Sequence, residues 1–116
     1  MRLKSGIWVA AYVRRIHSEG LFAAVRRRGA DEAGAIFIKI NRLDGTGVLY
    51  APAPQSAFED GRPFDHAFAV SVGAKTPARD AEIEEKLTRE IRFDPDCWIV
   101  EVEDRSGRHF LEHVVA

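Results

Sequence analysis

The most specific chemical pattern in this 116-residue sequence is formed by His109, Glu112 and His113. Their order, H-x-x-E-H, occurs in inverted zinc peptidases, where two histidines bind the metal and the glutamate activates water. That chemistry requires a helix that presents both imidazoles on one face, together with a third protein ligand. Because a predicted strand and turn precede this segment, we expect surface histidines, with neither a metal site nor a cofactor.

A second set of residues could support hydrolysis or group transfer. Cys97 would be a nucleophile if a histidine approached it and lowered its pKa. Asp94 and Asp96, together with His109, could provide acid–base catalysis around the last strand. However, Cys97 alternates with a core-facing Trp98, and carboxylates that flank a proline are typical turn formers. A small hydrolase or transferase is therefore an alternative, and we do not expect an enzyme.

Basic residues form a third candidate site. Arg26 and Arg28 share one face of a predicted strand, and Lys39 lies on the next strand. Arginines on a sheet can contact phosphates, and Phe37 could stack on a base if it were exposed. Arg27 points to the opposite face, so the arginine run is not one patch. Nucleic-acid binding is therefore a further alternative, with Arg26, Arg28 and Lys39 as its candidate residues.

The charges of the chain are unevenly distributed although the net charge is only −1. Residues 1–30 carry seven Lys or Arg and one acidic residue, whereas residues 80–104 carry ten acidic and three basic residues. A nucleic-acid-binding protein usually has a basic face without compensation. We expect the acidic stretch to neutralise the basic one within the fold.

Periodicity predicts the elements that position these residues. Apolar residues spaced by three and four predict helices over 5–20 and from 76 to about 93. Alternation predicts strands, and Asp44 and Gly45 predict a tight hairpin between two of them. The predicted strands are 22–28, 35–43, 48–51, 64–72 and 97–104. The tail 109–115 is either a short strand or a frayed helix.

These elements, in the order α-β-β-β-β-α-β, predict an α+β fold. We expect a two-layer sandwich in which an antiparallel sheet of about five strands carries both helices on one face. Ile36, Ile38 and Ile40 would lie under the helices, and the outer face would pair opposite charges. The outer charges would be Arg26, Arg28, Lys39, Glu101 and Glu103.

The length and composition of the chain limit the number of domains and the cellular compartment that we expect. A chain of this length predicts a single domain, 1–116, because two domains would leave neither with a core. The single cysteine, Cys97, excludes a disulfide framework and fits a reducing compartment. The apolar run at 7–13 is far too short to cross a membrane. We therefore expect a cytoplasmic protein that does not insert into membranes.

Several segments together resemble a known family. RLKSGIWVAAYVRR at the start, GAIFIKINRLDGTGVLY and APAPQS in the middle, and REIRFDPDCWIVEVEDRSGRHF near the end are similar to an alphaproteobacterial family, the domain of unknown function 1491. The resemblance spans nearly the whole chain. It implies one domain and a bacterial cytosol, and it implies no activity, cofactor or partner.

The leading hypothesis is a small non-enzymatic binding or interaction module, because no recognisable spacing combines a nucleophile, a base and an oxyanion donor. The proline-rich segment 52–63 is the predicted partner surface, with Gln55, Phe58 and the nearby Phe64 as exposed side chains. The partner would be another protein or a second copy of the chain.

Overall fold

A seven-stranded β-sheet forms the centre of the computed structural model, which describes residues 3–54 and 66–115. Five strands have at least five residues, and two have only two. In chain order the elements are α1 (Ser5–Ser18), β1 (Phe22–Arg27), β2 (Ile36–Asn41), β3 (Thr46–Pro52), β4 (Phe68–Val72), β5 (Ala78–Arg79), α2 (Asp80–Phe93), β6 (Trp98–Glu103) and β7 (Val114–Val115). The α+β class is confirmed, and the tail forms the short strand β7.

The sheet is mixed, which corrects the prediction of a purely antiparallel sheet. The strand order is β1-β6-β2-β3-β4-β7, and β5 pairs with β3. β2 runs parallel to β6, and β4 runs parallel to β7. The reason lies in α2: β5 is antiparallel to β3 and therefore parallel to β2, and α2 connects it to β6. A helical crossover of this kind joins parallel strands.

The two helices cover opposite faces of the sheet, so the molecule has three layers, and the prediction of both helices on one face was wrong. α1 packs through Val9, Tyr12 and Ile16 against the face that carries Ile38. α2 packs through Ile83 and Leu87 against the face that carries Phe37 and Ile99. The central strands are apolar on both faces, so each face requires a helix.

The start of α1 is tied to the loop between β1 and β2. The Ser5 and Gly6 N–H groups donate to the carbonyls of Glu32 and Asp31, and the Ser5 hydroxyl donates to the Gly34 carbonyl. Ser5 is the first residue of α1, and its hydroxyl fixes the helix to this loop. At the other end Gly20 has a φ of 78°, a left-handed conformation that closes the helix and that glycine adopts without a steric penalty. No helix in the described part of the chain is long and apolar enough to cross a membrane.

Candidate functional site

Lys39 and Arg26 lie together with carboxylates from α2 and β6. The Lys39 ammonium is buried and donates to Asp80 Oδ1 at 2.5 Å and Glu84 Oε2 at 2.6 Å, with Glu101 Oε1 at 3.8 Å. Arg26 donates to both oxygens of Glu84 at 2.7 Å and to Glu101 at 3.0 Å. We call these five residues the Lys39 cluster. The acidic stretch therefore compensates both cations, as predicted.

Within the Lys39 cluster, hydrogen bonds between opposite charges favour the ionised forms of Lys39, Arg26 and Glu84. Burial opposes the charge of Lys39, but hydrogen bonds with Asp80 and Glu84 outweigh it and raise its pKa. The hydrogen bond from Arg26 is the main cause that lowers the pKa of Glu84 to about 2. The same bond raises the pKa of Arg26. The cluster fastens α2 to the sheet, and its cations already have anionic partners.

The other predicted binding residues do not join this cluster. The Arg28 guanidinium carbon lies 5.1 Å from the ring centroid of Trp98, on the α1 side of the sheet. Phe37 is buried under α2 and offers no stacking surface. Phe58 lies outside the described residues, as does most of the predicted partner surface. Arg26, Arg28 and Lys39 therefore do not form one basic surface.

A cavity of about 330 Å³ lies between α1 and the C-terminal segment, and we call it the aromatic cavity. α1 contributes one stripe of its surface, and the C-terminal segment forms the facing wall. Leu3 and His66 also line the cavity. The residues are Trp8, Ala11, Tyr12 and Arg15 from α1, and Phe110, Glu112 and His113 from the C-terminal segment.

Aromatic rings pack closely around Trp8, one of the residues that line this cavity. The Trp8 and Tyr12 rings stack with centroids 5.0 Å apart and an interplanar angle of 13°. Phe68 and His66 lie 5.2 and 5.5 Å from Trp8 at a tilt of 40°. Trp8 is half-buried, so part of its ring faces the cavity. The stack gives the cavity a rigid wall that can bury flat apolar surface.

Two lining residues hold an unfavourable backbone conformation. His66 and Phe110 have φ values of 59° and 55°, in the left-handed region that side chains with a Cβ rarely adopt. The guanidinium carbons of Arg15 and Arg108 lie 5.6 and 5.4 Å from the Phe110 ring centroid, so both cations contact the ring. Such strain persists only where the surroundings enforce it, so the cavity wall is preformed.

A second cavity, of about 400 Å³, adjoins the aromatic cavity. Leu3 and His66 line both, and a His66 ring nitrogen lies 2.8 Å from the Leu3 carbonyl oxygen. The second cavity extends past Ser5 and Asp94 toward the starts of β2 and β4. Leu3 and His66 are therefore shared by the linings of the two cavities.

The H-x-x-E-H residues point in different directions. Glu112 and His113 line the aromatic cavity, but His109 lines neither cavity. Instead, His109 Nδ1 accepts a hydrogen bond from the Leu111 N–H, its ring contacts Tyr50, and burial lowers its pKa. Within residues 3–54 and 66–115, no group of three His, Cys, Asp or Glu residues could hold a metal ion.

Neither cavity brings the candidate acid–base and nucleophilic residues together. Asp94 lines the second cavity and accepts a hydrogen bond from the Asp96 N–H at 3.0 Å, which is a turn-forming contact. Cys97 is completely buried beneath α2, and burial raises the pKa of its thiol. His109 lies on the α1 side, against Tyr50. A buried thiol with a raised pKa is unreactive.

Removal of the Tyr12 hydroxyl tests whether α1 holds the facing wall of the aromatic cavity. This hydroxyl donates a 2.7 Å hydrogen bond to the carbonyl of His109. Tyr12→Phe should lower the free energy of unfolding by about 1 kcal/mol, measured by urea denaturation, and speed amide exchange in residues 109–113. Tyr50→Phe is the control, because no described residue bonds its hydroxyl. Equal effects of the two substitutions would contradict the assignment.

One wall of this cavity has a signal in the sequence, the helical spacing of its residues, which was not recognised as a site. Trp8, Ala11, Tyr12 and Arg15 have helical spacings of three, four and seven, so they share one stripe of α1. Apolar periodicity alone predicts Trp8, Ala11 and Tyr12 on the core stripe of the helix and Arg15 toward the other face. The stripe in fact lies at the border of the core, where Tyr12 is buried and Arg15 is exposed.

Fold and site define an α+β protein with a mixed sheet between two helices and an aromatic cavity between α1 and the C-terminal segment. The chain belongs to the DUF1491 family, whose model, described as a protein of unknown function, matches residues 3–112. It is similar to a DUF1491 protein of Caulobacter crescentus with 36% identity, a TM-score of 0.79 and full coverage of both chains. A protein of A. tumefaciens is 41% identical, with a TM-score of 0.80 and coverage of 100% of this chain and 98% of that one. None of the curated proteins matches the chain.

Proposed function

We propose that this protein is a non-enzymatic binding module and that the aromatic cavity is its site. The observation that carries the proposal is the convergence of Trp8, Tyr12 and Phe110 with Arg15 and two histidines in one preformed hollow. Small-molecule sites are typically concave and largely apolar, with a few placed polar groups, and have volumes of about 300–1,000 Å³. At about 330 Å³ the cavity lies within that range.

The chemistry of the lining favours binding over catalysis. The described lining residues include no serine, cysteine or lysine that could act as a nucleophile. Burial raises the pKa of Tyr12, and its hydroxyl already donates to the His109 carbonyl, so Tyr12 is not a ready base. The polar groups that remain, an arginine, a glutamate and two histidines, can orient a ligand through hydrogen bonds and charge.

The proposed module works as one cytoplasmic domain. The family model covers residues 3–112 as one unit, which supports a single domain. Cys97 is buried and unpaired, which fits a reducing compartment. A fluorescent fusion that localised to the periplasm in a bacterial host would contradict this placement.

Filling the cavity tests the proposed function. A diverse fragment library is screened by amide chemical shifts, and hits that shift α1 and residues 109–113 are titrated. Ala11→Phe places a ring in the cavity and should weaken these hits by about tenfold or more, which corresponds to at least 1.4 kcal/mol. Ala10→Phe is the matched control, since Ala10 is exposed on the same helix but does not line the cavity.

The two variants also separate binding from folding. Both sites are exposed, so circular dichroism and thermal unfolding should be close to those of the wild type. The aromatic cavity is refuted as the site if no library compound shifts the amide signals of α1 and residues 109–113. It is also refuted if the hits bind Ala11→Phe and Ala10→Phe with equal affinity.

A further inference from the structure

The guanidinium of Arg15 is held in place but has open donors. Its carbon lies 5.6 Å from the Phe110 centroid, a stacking arrangement that limits its motion. Its only hydrogen bond to the described residues is a long one, 3.5 Å from Nε to Glu19 Oε2. Both terminal nitrogens therefore keep their donors. A guanidinium with two parallel free N–H groups matches the two oxygens of a carboxylate.

The other arginines near the cavity differ from Arg15 in this respect. Arg108 also lies against Phe110, but it donates to both oxygens of Asp104, at 2.8 and 3.3 Å. Arg14 lies beside Arg15 on α1 and does not line the cavity. Among the described lining residues, Arg15 is thus the arginine whose terminal nitrogens make no hydrogen bond to the described part of the chain.

The aromatic surface lies next to this open guanidinium. Trp8 and Arg15 occupy positions seven residues apart on one stripe of α1, and Phe110 lies across from them. Trp8 and Phe110 are both half-buried and can cover a flat ring. A ligand that fits would place a planar ring against these side chains and an anionic group at one edge of the ring.

We infer that the aromatic cavity binds a small planar aromatic carboxylate. The carboxylate accepts two hydrogen bonds from Arg15, and the ring packs against Trp8 and Phe110. This inference rests on the proposed binding function and adds the chemical class of the ligand. Glu112, the one carboxylate among the described lining residues, is exposed and leaves the Arg15 donors unoccupied.

A panel of four compounds of one size tests the ligand class. The compounds are 2-naphthoate, 2-naphthamide, 2-naphthylmethylamine and decahydro-2-naphthoate, titrated at low salt with amide shifts as the readout. The naphthoate should bind about tenfold more tightly than the neutral amide and than the saturated acid, because each of these lacks one of the two interactions. The amine should bind most weakly, since its charge repels Arg15.

Substitution of the guanidinium tests the same contact from the protein side. Arg15→Gln should weaken the binding of naphthoate about tenfold and change the affinity for the amide by no more than about twofold. The reason is that only the carboxylate accepts two charge-assisted hydrogen bonds from the guanidinium. Arg14→Gln is the matched control and should leave both affinities unchanged. Arg15→Lys should restore only part of the affinity, since an ammonium cannot form the bidentate contact.

The outcomes for the ligand class and for the binding function are distinguishable. If the amide or the amine binds as tightly as naphthoate, and Ala11→Phe abolishes this binding, the carboxylate inference is wrong and the proposed function stands. The carboxylate inference is also wrong, and the proposed function still stands, if naphthoate does not bind while library compounds shift the amide signals of the cavity residues. If neither the library nor the four-compound panel shifts these signals, both proposals fail.

Discussion

Glu84→Gln is expected to lower the free energy of unfolding by about 2 kcal/mol at neutral pH, as measured by urea denaturation. Glu84 accepts hydrogen bonds from both cations of the Lys39 cluster, and the Lys39 side chain is only 4% exposed. Without the carboxylate, a buried ammonium loses one of its partners. The expected loss is smaller than for a fully buried pair, because the Glu84 side chain is 35% exposed and water screens it.

The pH dependence provides a second measurement on the same variant. The pKa of Glu84 is lowered from an ordinary value of 4.5 to about 2. Its carboxylate therefore contributes full stability above pH 4.5, and this contribution is lost as the pH falls from 4.5 through about 2. The difference in unfolding free energy between wild type and Glu84→Gln should narrow over this window and be constant above it.

Glu85→Gln is the matched control, since it makes the same chemical change one residue further along α2. Glu85 is mostly exposed, and its partner Arg89 lies four residues away on the same helix. Such surface pairs contribute little, so we expect a change within about 0.5 kcal/mol. Equal losses for the two variants would show that the Lys39 cluster does not fasten α2 to the sheet.

Local periodicity was enough to predict most elements of the fold. Both helices and the five longer strands lie where the apolar spacing places them, apart from shifts at their ends. One such shift is at α2, where residues 78–79 form β5 instead of the predicted first helical turn. Their pairing with Thr46 and Gly47 of β3 is a contact between distant segments, which helix-start signals at Thr76 and Pro77 cannot reveal.

The prediction left the sheet face under α2 exposed to solvent, because Lys39 in β2 was interpreted by its charge alone. Lys39 suggested a solvated face, although Phe37 on the same face is as apolar as its neighbours on the other face. Strands that are apolar on both faces are typical of sheets covered on both sides. The burial of Lys39 depends on acidic residues of α2, more than 40 positions later, and sequence order does not show that contact.

Of the two walls of the aromatic cavity, only the one formed by α1 could be predicted from the sequence. Its α1 wall follows helical spacing, but the facing wall requires Phe110 to adopt a left-handed backbone beside Arg15 and Arg108. No local pattern indicates such a conformation in phenylalanine. The candidate acid–base and nucleophilic residues were chosen by residue type and spacing along the sequence. The cavity instead depends on which side chains of the C-terminal segment lie against α1 in the folded chain.

Leu87→Ala is expected to lower the free energy of unfolding by about 2–5 kcal/mol, because it removes a buried side chain between α2 and the sheet. Leu87 is 2% exposed and packs in the second core with Ile83 and Ile99. Leu43→Ala is the matched control. Leu43 is 43% exposed in the hairpin, so we expect a change within about 0.5 kcal/mol.

A double-mutant comparison extends this test to the three-layer arrangement. Ile16→Val alters the α1 core, and Ile99→Val alters the α2 core. Because the sheet separates Leu87 from Ile16, their effects on unfolding should add to within about 0.5 kcal/mol. Leu87 and Ile99 belong to one cluster, so their combination should deviate from additivity by more than that. Strong coupling of Leu87 to Ile16, with none to Ile99, would place both helices on one face after all.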